Sequence, residues 1–436
     1  MLQDLKKIFA LDNPARLLYH KVRAIIANYY YGFPSKNMTI IWVTWTNGKT
    51  TTCNIIAKWL RWTWKKVFMF STVNIIIGDK EYQNDTKMTS PDVFELQRLL
   101  KIAQKEWCEI AIIETASHGI KMNRIWGLEY DIAVLTNITQ DHLDLHRTMK
   151  DYVNTKLQLF KRLITYKRKP GIKKTAIINI NSEYSDLFMA ETFDSIYTYG
   201  AWKNANLEAK NIKNSGLITK FEVTVPSDKI IVETKLIWDF NIQNILAAIW
   251  VFISLWIKWE EITKIIKLIN WVPGRMETIE NNDWFEVIVD YAHTPDALEK
   301  VLETIRWFTS VARIITVFWA TWDRDRTKRP IMWEIVSRLS NVVILTQDDD
   351  YSEKIEQIMK DVLPWIERKQ WDNFWIIPTR REAIQTALLM ANKWDVVLVA
   401  WKWDEHVMVT NNWIVKWNDK EVITEILKWI DDNKIV

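Results

Sequence analysis

The stretch Ile41-Trp42-Val43-Thr44-Trp45-Thr46-Asn47-Gly48-Lys49-Thr50-Thr51-Thr52 has the order of a phosphate-binding loop: an apolar strand, a turn, then Gly-Lys-Thr opening a helix. In such a loop main-chain N–H groups and the helix N-terminus hold phosphate oxygens. Lys49 offsets the β and γ charge, and the Thr50 hydroxyl is placed for Mg²⁺. Two residues conflict with this reading. Trp42 and Trp45 stand where the turn needs residues without a Cβ, and an indole there would fill the phosphate site. The conflict recurs in Trp271-Val272-Pro273-Gly274, in Phe318-Trp319-Ala320-Thr321-Trp322-Asp323 and in Ala400-Trp401-Lys402-Trp403-Asp404. The 436-residue chain has 27 Trp and 9 Gly, whereas average usage would give about 30 glycines. Pooled, the two types restore an ordinary glycine count. The composition leads to the hypothesis that UGA codons meaning glycine in the source stand here as tryptophan. The coding DNA tests it, and UGG at Trp42 and Trp45 would reject it.

A chain of 436 residues implies two or three domains, each able to bury a core. Its 58 basic and 54 acidic residues leave a net charge of +4, and no Lys/Arg block is long enough for a nucleic-acid arm. Cys53 and Cys108 are the only cysteines, too few for a disulfide framework or a zinc ribbon, so a reducing cytoplasm is expected. No secretory signal is visible, and the longest apolar run, Ala247 to Ile257, is too short to span a bilayer.

Residues 1–38 read as a short helical extension, amphipathic from Leu17-Leu18-Tyr19 to Tyr29-Tyr30-Tyr31 and closed by Gly32-Phe33-Pro34. Such a stripe packs on a neighbouring domain or lies on a membrane surface, and the first is expected here. From Thr39 onward, Met38–Val43, Val67–Ser71, Ile110–Glu114, Ile132–Thr136 and Thr175–Asn179 predict buried strands, with helical spacing around 50–63, 91–106 and 151–164. That alternation implies a parallel α/β sheet. Residues 203–236 predict an antiparallel insertion, followed by a helix carrying Asn241 and Asn244. Beyond Val272-Pro273-Gly274, a hinge signal, a second series predicts strands at Glu286–Val289, Ile314–Phe318, Val342–Leu345 and Val396–Val399. The expected domains are 39–271, central and ATP-binding, and 272–436, C-terminal.

With glycine at 42 and 45 the loop reads Gly-Val-Thr-Gly-Thr-Asn-Gly-Lys-Thr-Thr-Thr, and from about residue 39 to its end the chain resembles the Mur ligase family. These are ATP-dependent amino-acid ligases of peptidoglycan precursor synthesis, and the likeness is to the branch that adds the third amino acid. The motifs that carry it run in order: Glu114-Thr-Ala-Ser-His-Gly, Thr136-Asn137-Ile-Thr-Gln-Asp141-His142-Leu-Asp144, Tyr152-Val-Asn-Thr-Lys156, Asn241-Ile-Gln-Asn244, Gly274-Arg275-Met-Glu277, Asp290-Tyr-Ala-His293-Thr-Pro, Asp323-Arg-Asp-Arg with Lys328-Arg329-Pro330, and residues 400–405.

The resemblance implies a phosphate-loop parallel-sheet ATPase domain followed by a Rossmann-like α/β domain. It implies phosphorylation of a substrate carboxylate to an acyl phosphate, then attack by an amine. Converging anionic oxygens would call for two Mg²⁺ ions beside Lys49. Thr46, Asn47, Gly48, Lys49, Thr50 and Thr51 would hold the ATP phosphates. Asn137 and Asn244 match adenine contacts, Asp290 a ribose contact and Arg275 a phosphate contact. Thr50, Glu114, His142 and Lys156 match metal ligands, Lys156 as a carbamate formed with CO₂. Lys49, Glu114, His142 and Lys156 make the catalytic set. Thr89, Ser90 and Ser117 would touch the muramoyl peptide. Arg329, Asp348, Asp349, Tyr351 and Glu405 would lie at the amino-acid site. The implied partners are small molecules (muramoyl-peptide precursor, amino acid and ATP) acting on a cytoplasmic monomer, with neither nucleic acid nor integral membrane contact.

The sequence departs from the family in two places. Family members carry an N-terminal domain for the UDP moiety, and the residues before Thr39 are too few for an independent core. Folylpolyglutamate synthetases share the two-domain core and start near their phosphate loop, which keeps a folate ligase as an alternative. A non-catalytic nucleotide-binding protein follows if every Trp is real. At Thr346-Gln347-Asp348-Asp349-Asp350-Tyr351-Ser352-Glu353, diaminopimelate-adding members have Asp-Asn-Pro-Arg, whose Arg clamps the distal carboxylate. Tyr351 takes that place with a single neutral hydroxyl, and Asp404 stands where the family has His. Three aspartates suit a terminal ammonium, so lysine or ornithine is expected over meso-diaminopimelate.

Overall fold

Asn13 opens the first helix by accepting the N–H of Ala15 at 2.9 Å. Pro14 then occupies its first turn, where no N–H is needed, and Gly32 at φ 71 ends it. This helix, α1 (Pro14–Tyr31), belongs to the first of two compact units, Met1–Asn270 and Trp271–Val436. The computed structural model describes residues 13–44, 46, 48–84, 86, 88–139, 143–201, 205–215, 218–225, 228–234, 239–266, 276–282, 284–292, 294–308, 313–319, 328–346, 373–400, 407–409 and 414–434. Asn47, His142, Arg275, Asp348, Asp349, Tyr351 and Glu405 lie outside these, as do Trp45, Trp271, Trp322, Trp401, Trp403 and the Pro273-Gly274 pair.

In the first unit β1 (Thr39–Thr44) leads into α2 (Lys49–Trp62). There follow β2 (Val67–Phe70), β3 (Asn74–Ile77), β4 (Lys80–Gln83), α3 (Val93–Lys105), β5 (Ile110–Thr115), α4 (Ser117–Lys121), β6 (Ile132–Leu135), α5 (Leu143–His146), α6 (Met149–Thr165), β7 (Thr175–Asn179) and α7 (Ser185–Met189). The unit continues with β8 (Ser195–Ala201), β9 (Leu207–Ser215), β10 (Ile218–Val225), β11 (Asp228–Thr234), α8 (Asp239–Ser254) and α9 (Trp259–Ile266). One sheet runs β11-β10-β9-β8-β7-β6-β1-β5-β2-β3-β4. β1 sits between β5 and β6, parallel to both. These strands read as unbroken apolar runs because helices cover both faces. The antiparallel stretch expected at 203–236 is β9–β11, and it extends this same sheet, since β8 pairs with β9 in parallel.

Trp42 does not stand at the turn. It is inside β1, level with Ile113 of β5 and Ala133 of β6. Its indole is fully buried, stacked on Tyr130 at 3.8 Å, with Nε1 donating to Thr115 Oγ1. The turn begins after Thr44, so the expectation that Trp42 fills a phosphate site is corrected. β1 has the same six-residue length as the predicted run Met38–Val43 and is shifted by one residue.

The amino ends of β1, β6 and β7 are tied by buried charge. Asp131 accepts from Lys169 at 2.6 Å, Lys174 at 3.1 Å and the N–H of Ile40 at 2.9 Å. These groups come from three separate chain segments, and each is satisfied, as buried ions must be.

The second unit contains β12 (Glu277–Ile279), β13 (Glu286–Asp290), α10 (Pro295–Phe308), β14 (Ile314–Phe318), α11 (Lys328–Leu339), β15 (Val342–Leu345), β16 (Phe374–Ile376), α12 (Arg380–Met390), β17 (Val396–Ala400), β18 (Val407–Val409), β19 (Ile414–Lys416) and α13 (Asp419–Lys434). Its main sheet runs β12-β13-β17-β14-β15-β16, parallel throughout except for the β12–β13 pair. Arg380 forms a buried pair with Asp419 at 2.6 Å and also donates to the carbonyl of Ala400, linking α12, α13 and β17.

Candidate active site

The functional residues of the first unit gather at the carboxyl ends of β1 and β5, the edge where open α/β sheets bind ligands. Gly48 starts α2 at φ 89 with no side chain capping it, so the first-turn N–H groups face the loop. A Cβ on Gly48 would lie 2.6 Å from Asn244 Oδ1, and no side chain fits there. Asn244, on α8, accepts from Thr52 Oγ1 at 3.1 Å and donates to Asn241 at 3.2 Å. It therefore braces the loop from behind. Thr51 is buried beside Thr50 in the first turn of α2.

Lys49 Nζ folds back to the carbonyl of Thr46 at 3.0 Å. Thr46 in turn accepts the N–H of Thr139, donates to the Thr139 carbonyl at 3.0 Å, and shares a hydrogen bond with Tyr152 at 3.0 Å. Its own N–H donates to the carbonyl of Asn137 at 3.4 Å. The loop is thus pinned to the segment after β6.

Glu114, 1 % exposed on β5, is the centre of the site. Oε2 accepts from Thr50 Oγ1 at 2.9 Å and from the N–H of Thr72 at 2.8 Å, and Oε1 accepts from Thr72 Oγ1 at 2.9 Å. All of these donors are neutral. Thr72 continues to Thr89 Oγ1 at 2.9 Å, while Ser90 Oγ accepts the N–H of Ala116 at 3.3 Å, directly before Ser117 opens α4. Thr50, Glu114, Thr89, Ser90 and Ser117 are therefore brought together.

Lys156 is completely buried on α6, its Nζ 4.4 Å from the centre of the Tyr152 ring. His146 lies near it, with ring contacts to Tyr152 at 5.2 Å and His118 at 6.4 Å. Burial, then the charge of Lys121, holds the His146 pKa at about 4, and Asp151 opposes both. Among the described residues no group of three or more His, Cys, Asp or Glu is placed to hold a metal ion; His142, the remaining matched ligand, lies outside them.

In the second unit, Asp290 ends β13 buried and accepts the N–H of Met276 at 2.7 Å. Arg329 lies in α11. Sequence reading missed Thr72, whose role depends on register between β2 and β5. It also missed Arg124, half-buried, which donates to the Ser90 carbonyl at 3.1 Å. A basic residue seven after Ser117, three beyond the end of α4, was the available signal.

A helix N-terminus behind a glycine turn, a lysine over the loop and a Thr–Glu pair at the strand ends fit a phosphate chain with a divalent cation, and they define a phosphate-loop nucleotide-binding protein. Residues 43–252 match the Mur ligase middle domain, and residues 274–401 match the Mur ligase glutamate ligase domain. A Clostridium botulinum protein named UDP-N-acetylmuramoyl-L-alanyl-D-glutamate--2,6-diaminopimelate ligase is 36% identical over 412 residues, 94% of this chain and 82% of that protein. A Geobacillus kaustophilus protein of the same name is 36% identical over 423 residues, 96% of this chain and 85% of its own. A solved structure of a ligase with that name has a TM-score of 0.64 at 28% identity, covering 94% of this chain and 83% of that one. Folylpolyglutamate synthase of Mycobacterium tuberculosis has a TM-score of 0.69 at 13% identity, covering 87% of this chain and 92% of that one; that likeness is of fold alone. The chain belongs to the Mur ligase family. It is an ATP-dependent, ADP-forming amide-bond ligase of peptidoglycan precursor synthesis, acting on small molecules with ATP and Mg²⁺. No helix of the described residues is long and apolar enough to cross a membrane.

Proposed function

We propose that this ligase joins a diamino acid to the carboxylate of a UDP-N-acetylmuramoyl-L-alanyl-D-glutamate acceptor, working as a cytoplasmic monomer. The observation that supports this most is the Thr50–Glu114–Thr72–Thr89 chain. It runs from the nucleotide loop to the Thr89-Ser90 stretch, so one hydrogen-bonded path joins the phosphate side to the acceptor side. Bound ATP with Mg²⁺ would supply the phosphoryl group that activates the acceptor carboxylate.

The chain's own residues divide the remaining work. Lys49 and the first-turn N–H groups of α2 hold the phosphates, Thr46, Asn47 and Thr51 shape the loop, and Asn244 keeps Gly48 in place. Thr50 and Glu114 hold one divalent cation. Lys156 as a carbamate, with His142, holds a second. Carbamylation would turn a buried cation into an anion beside neutral His146, replacing one desolvated charge by another that a metal offsets. Thr89, Ser90 and Ser117 position the muramoyl peptide. Asn137, Arg275 and Asp290 meet the nucleoside and phosphates, and Arg329 and Glu405 meet the incoming amino acid. In domain terms, 39–271 carries the phosphate loop and metal ligands, and 272–436 carries Arg275, Asp290 and the amino-acid residues.

Two identities compete for the amino acid. The curated relatives carry diaminopimelate in their names, whereas Asp348, Asp349 and Tyr351 favour lysine or ornithine. Phosphate release and amide formation, followed in parallel with each amine and the UDP-muramoyl-dipeptide acceptor, decide between them. Turnover with diaminopimelate alone removes the lysine reading. ATP hydrolysis that needs neither acceptor nor amine, or turnover with a folate acceptor, removes the proposal.

A further inference from the structure

Three helices of the first unit end with tryptophan in the same six-residue hydrogen-bond pattern, which α4 completes with Asn123 at φ 51. After α2, Trp64 donates to the Arg61 carbonyl at 3.1 Å and Lys65 to that of Leu60 at 3.2 Å. After α3, Trp107 donates to Gln104 at 3.2 Å and Cys108 to Ala103 at 2.9 Å. After α8, Trp256 donates to Ile253 at 3.0 Å and Ile257 to Phe252 at 3.1 Å. This is the Schellman termination, whose penultimate residue must turn left-handed and is ordinarily glycine. Trp64, Trp107 and Trp256 have φ of 61, 62 and 61. The end of α1 provides an internal control: there the same bonds, Gly32 to Tyr29 at 3.2 Å and Phe33 to Asn28 at 3.0 Å, place a glycine at φ 71. A fourth tryptophan, Trp394 at φ 71, is the third residue of a turn closed by Asp395 N–H on the Asn392 carbonyl at 3.0 Å, again a glycine position.

The environment repays little of the left-handed backbone: Lys173 lies 6.0 Å from the Trp256 ring, and Lys393 and Trp284 lie 5.1 and 6.5 Å from that of Trp394. Trp64, Trp107, Trp256 and Trp394 are 95, 78, 76 and 66% exposed, so their indoles gain little by burial. Nine non-glycine residues among those described have positive φ, and four are Trp. At 27 Trp in 436 residues, nine positions would hold fewer than one. Bulky residues are the ones sterics exclude from this region.

We infer that residues 64, 107, 256 and 394 are glycine in the protein as its own organism makes it, encoded by a codon that the printed sequence renders as tryptophan. This does not rest on the ligase reading; it follows from backbone geometry at positions that are not part of the phosphate loop. The same substitution at 45 gives that loop the Cβ-free turn its chemistry requires. Function thus depends on which residue is made: the tryptophan-bearing chain expressed in a standard host is a different protein from the native one.

The gene and peptide masses of the protein from its source cells test the inference. UGA at all four positions with glycine masses is the expected result. UGG there, or UGA with tryptophan masses, overturns it. A second measurement uses the tryptophan-bearing chain. Trp64→Gly, Trp107→Gly and Trp256→Gly should each raise Tm by about 2–4 °C, while the matched Trp→Ala variants, which keep a Cβ in the left-handed region, should gain less. Equal Tm for the Gly and Ala series, or a loss on going to Gly, overturns the geometric reasoning.

Discussion

Replacing Glu114 by Gln separates catalysis from folding at the centre of the site. The carboxylate accepts three hydrogen bonds between 2.8 and 2.9 Å, from Thr50 and twice from Thr72. A glutamine oxygen can keep the two on Oε2, and the Thr72 hydroxyl can turn to accept from the new amide while donating to Thr89. Each retained bond weakens by about 1 kcal/mol on becoming neutral. Against that, an ionised carboxylate no longer has to be kept from water, a cost of several kcal/mol before compensation. The terms are similar and opposite, so Tm should move by less than about 5 °C. Binding a divalent cation has no such offset. Loss of one preorganised charged partner typically costs about 10²–10³-fold in rate, and that is the expected fall in kcat/KM, with a rise of at least tenfold in the Mg²⁺ needed for half-maximal activity. The assay is coupled phosphate release on the glycine-restored enzyme across an Mg²⁺ series, beside a thermal melt. A kcat/KM within threefold of the parent, with unchanged Mg²⁺ dependence, would show that Glu114 merely anchors Thr72 and refute the metal assignment.

Other consequences can be measured on the same protein. Lys156→Met should lose at least about a hundredfold in kcat without lowering Tm, since an apolar side chain of similar length replaces a buried cation; Lys156→Ala should recover part of its activity with short-chain carboxylates. Full activity in either variant discards the carbamate. His146 has a folded pKa of about 4, below its ordinary 6.5, so on acidification the unfolded chain takes the proton first. Its contribution is therefore intact above about pH 7 and lost between 6.5 and 4, about 3 kcal/mol in all, and His146→Gln should flatten that part of the Tm–pH curve. Asp131→Asn should cost about 3–5 kcal/mol by leaving Lys169 and Lys174 uncompensated, while Mg²⁺ dependence stays unchanged; a melt and a metal titration read the two effects separately.

The parallel core was legible because β1, β5, β6 and β7 are covered on both faces and so appear as unbroken apolar runs. The β3–β4 hairpin was not, since β4 is a polar, mostly exposed edge strand, and its pairing with β3 depends on the sheet already being there. Of the site, Thr50, Glu114, Thr89, Ser90 and Ser117 could be chosen by motif, whereas Thr72 is set by register alone. The Asp131 cluster joins residues about forty positions apart, and no local pattern announces it. Tryptophan misled in one direction and informed in another. At 42 its turn-like context concealed a strand residue, while at 64, 107 and 256 an unremarkable local sequence concealed a left-handed backbone. A φ value is a property of the folded helix end, which periodicity does not report.

The two ends of the central sheet handle buried charge in opposite ways, and the contrast bears on why catalysis belongs to one of them. At the amino ends, Asp131 meets two lysines and a backbone N–H within 3.1 Å. The carboxylate there is offset by two cations, which suits a fixed structural tie. About 10 Å away, from Ile40 to Val43 along β1, the donors to Glu114 among the described residues are neutral hydroxyl and amide groups, and Lys156 lies against an aromatic face. Neutral donors orient the Glu114 carboxylate without pairing it to a cation. A buried carboxylate held by neutral donors interacts more strongly with an arriving cation than an exposed one would, because screening is weak there. The same sheet is closed electrostatically where it must hold and left open where it must bind. Filling that opening internally, for instance with a lysine at Thr72, should raise stability while abolishing the Mg²⁺ requirement together with activity. Retained Mg²⁺-dependent turnover in Thr72→Lys would show that the charge on Glu114 is not what the cation needs.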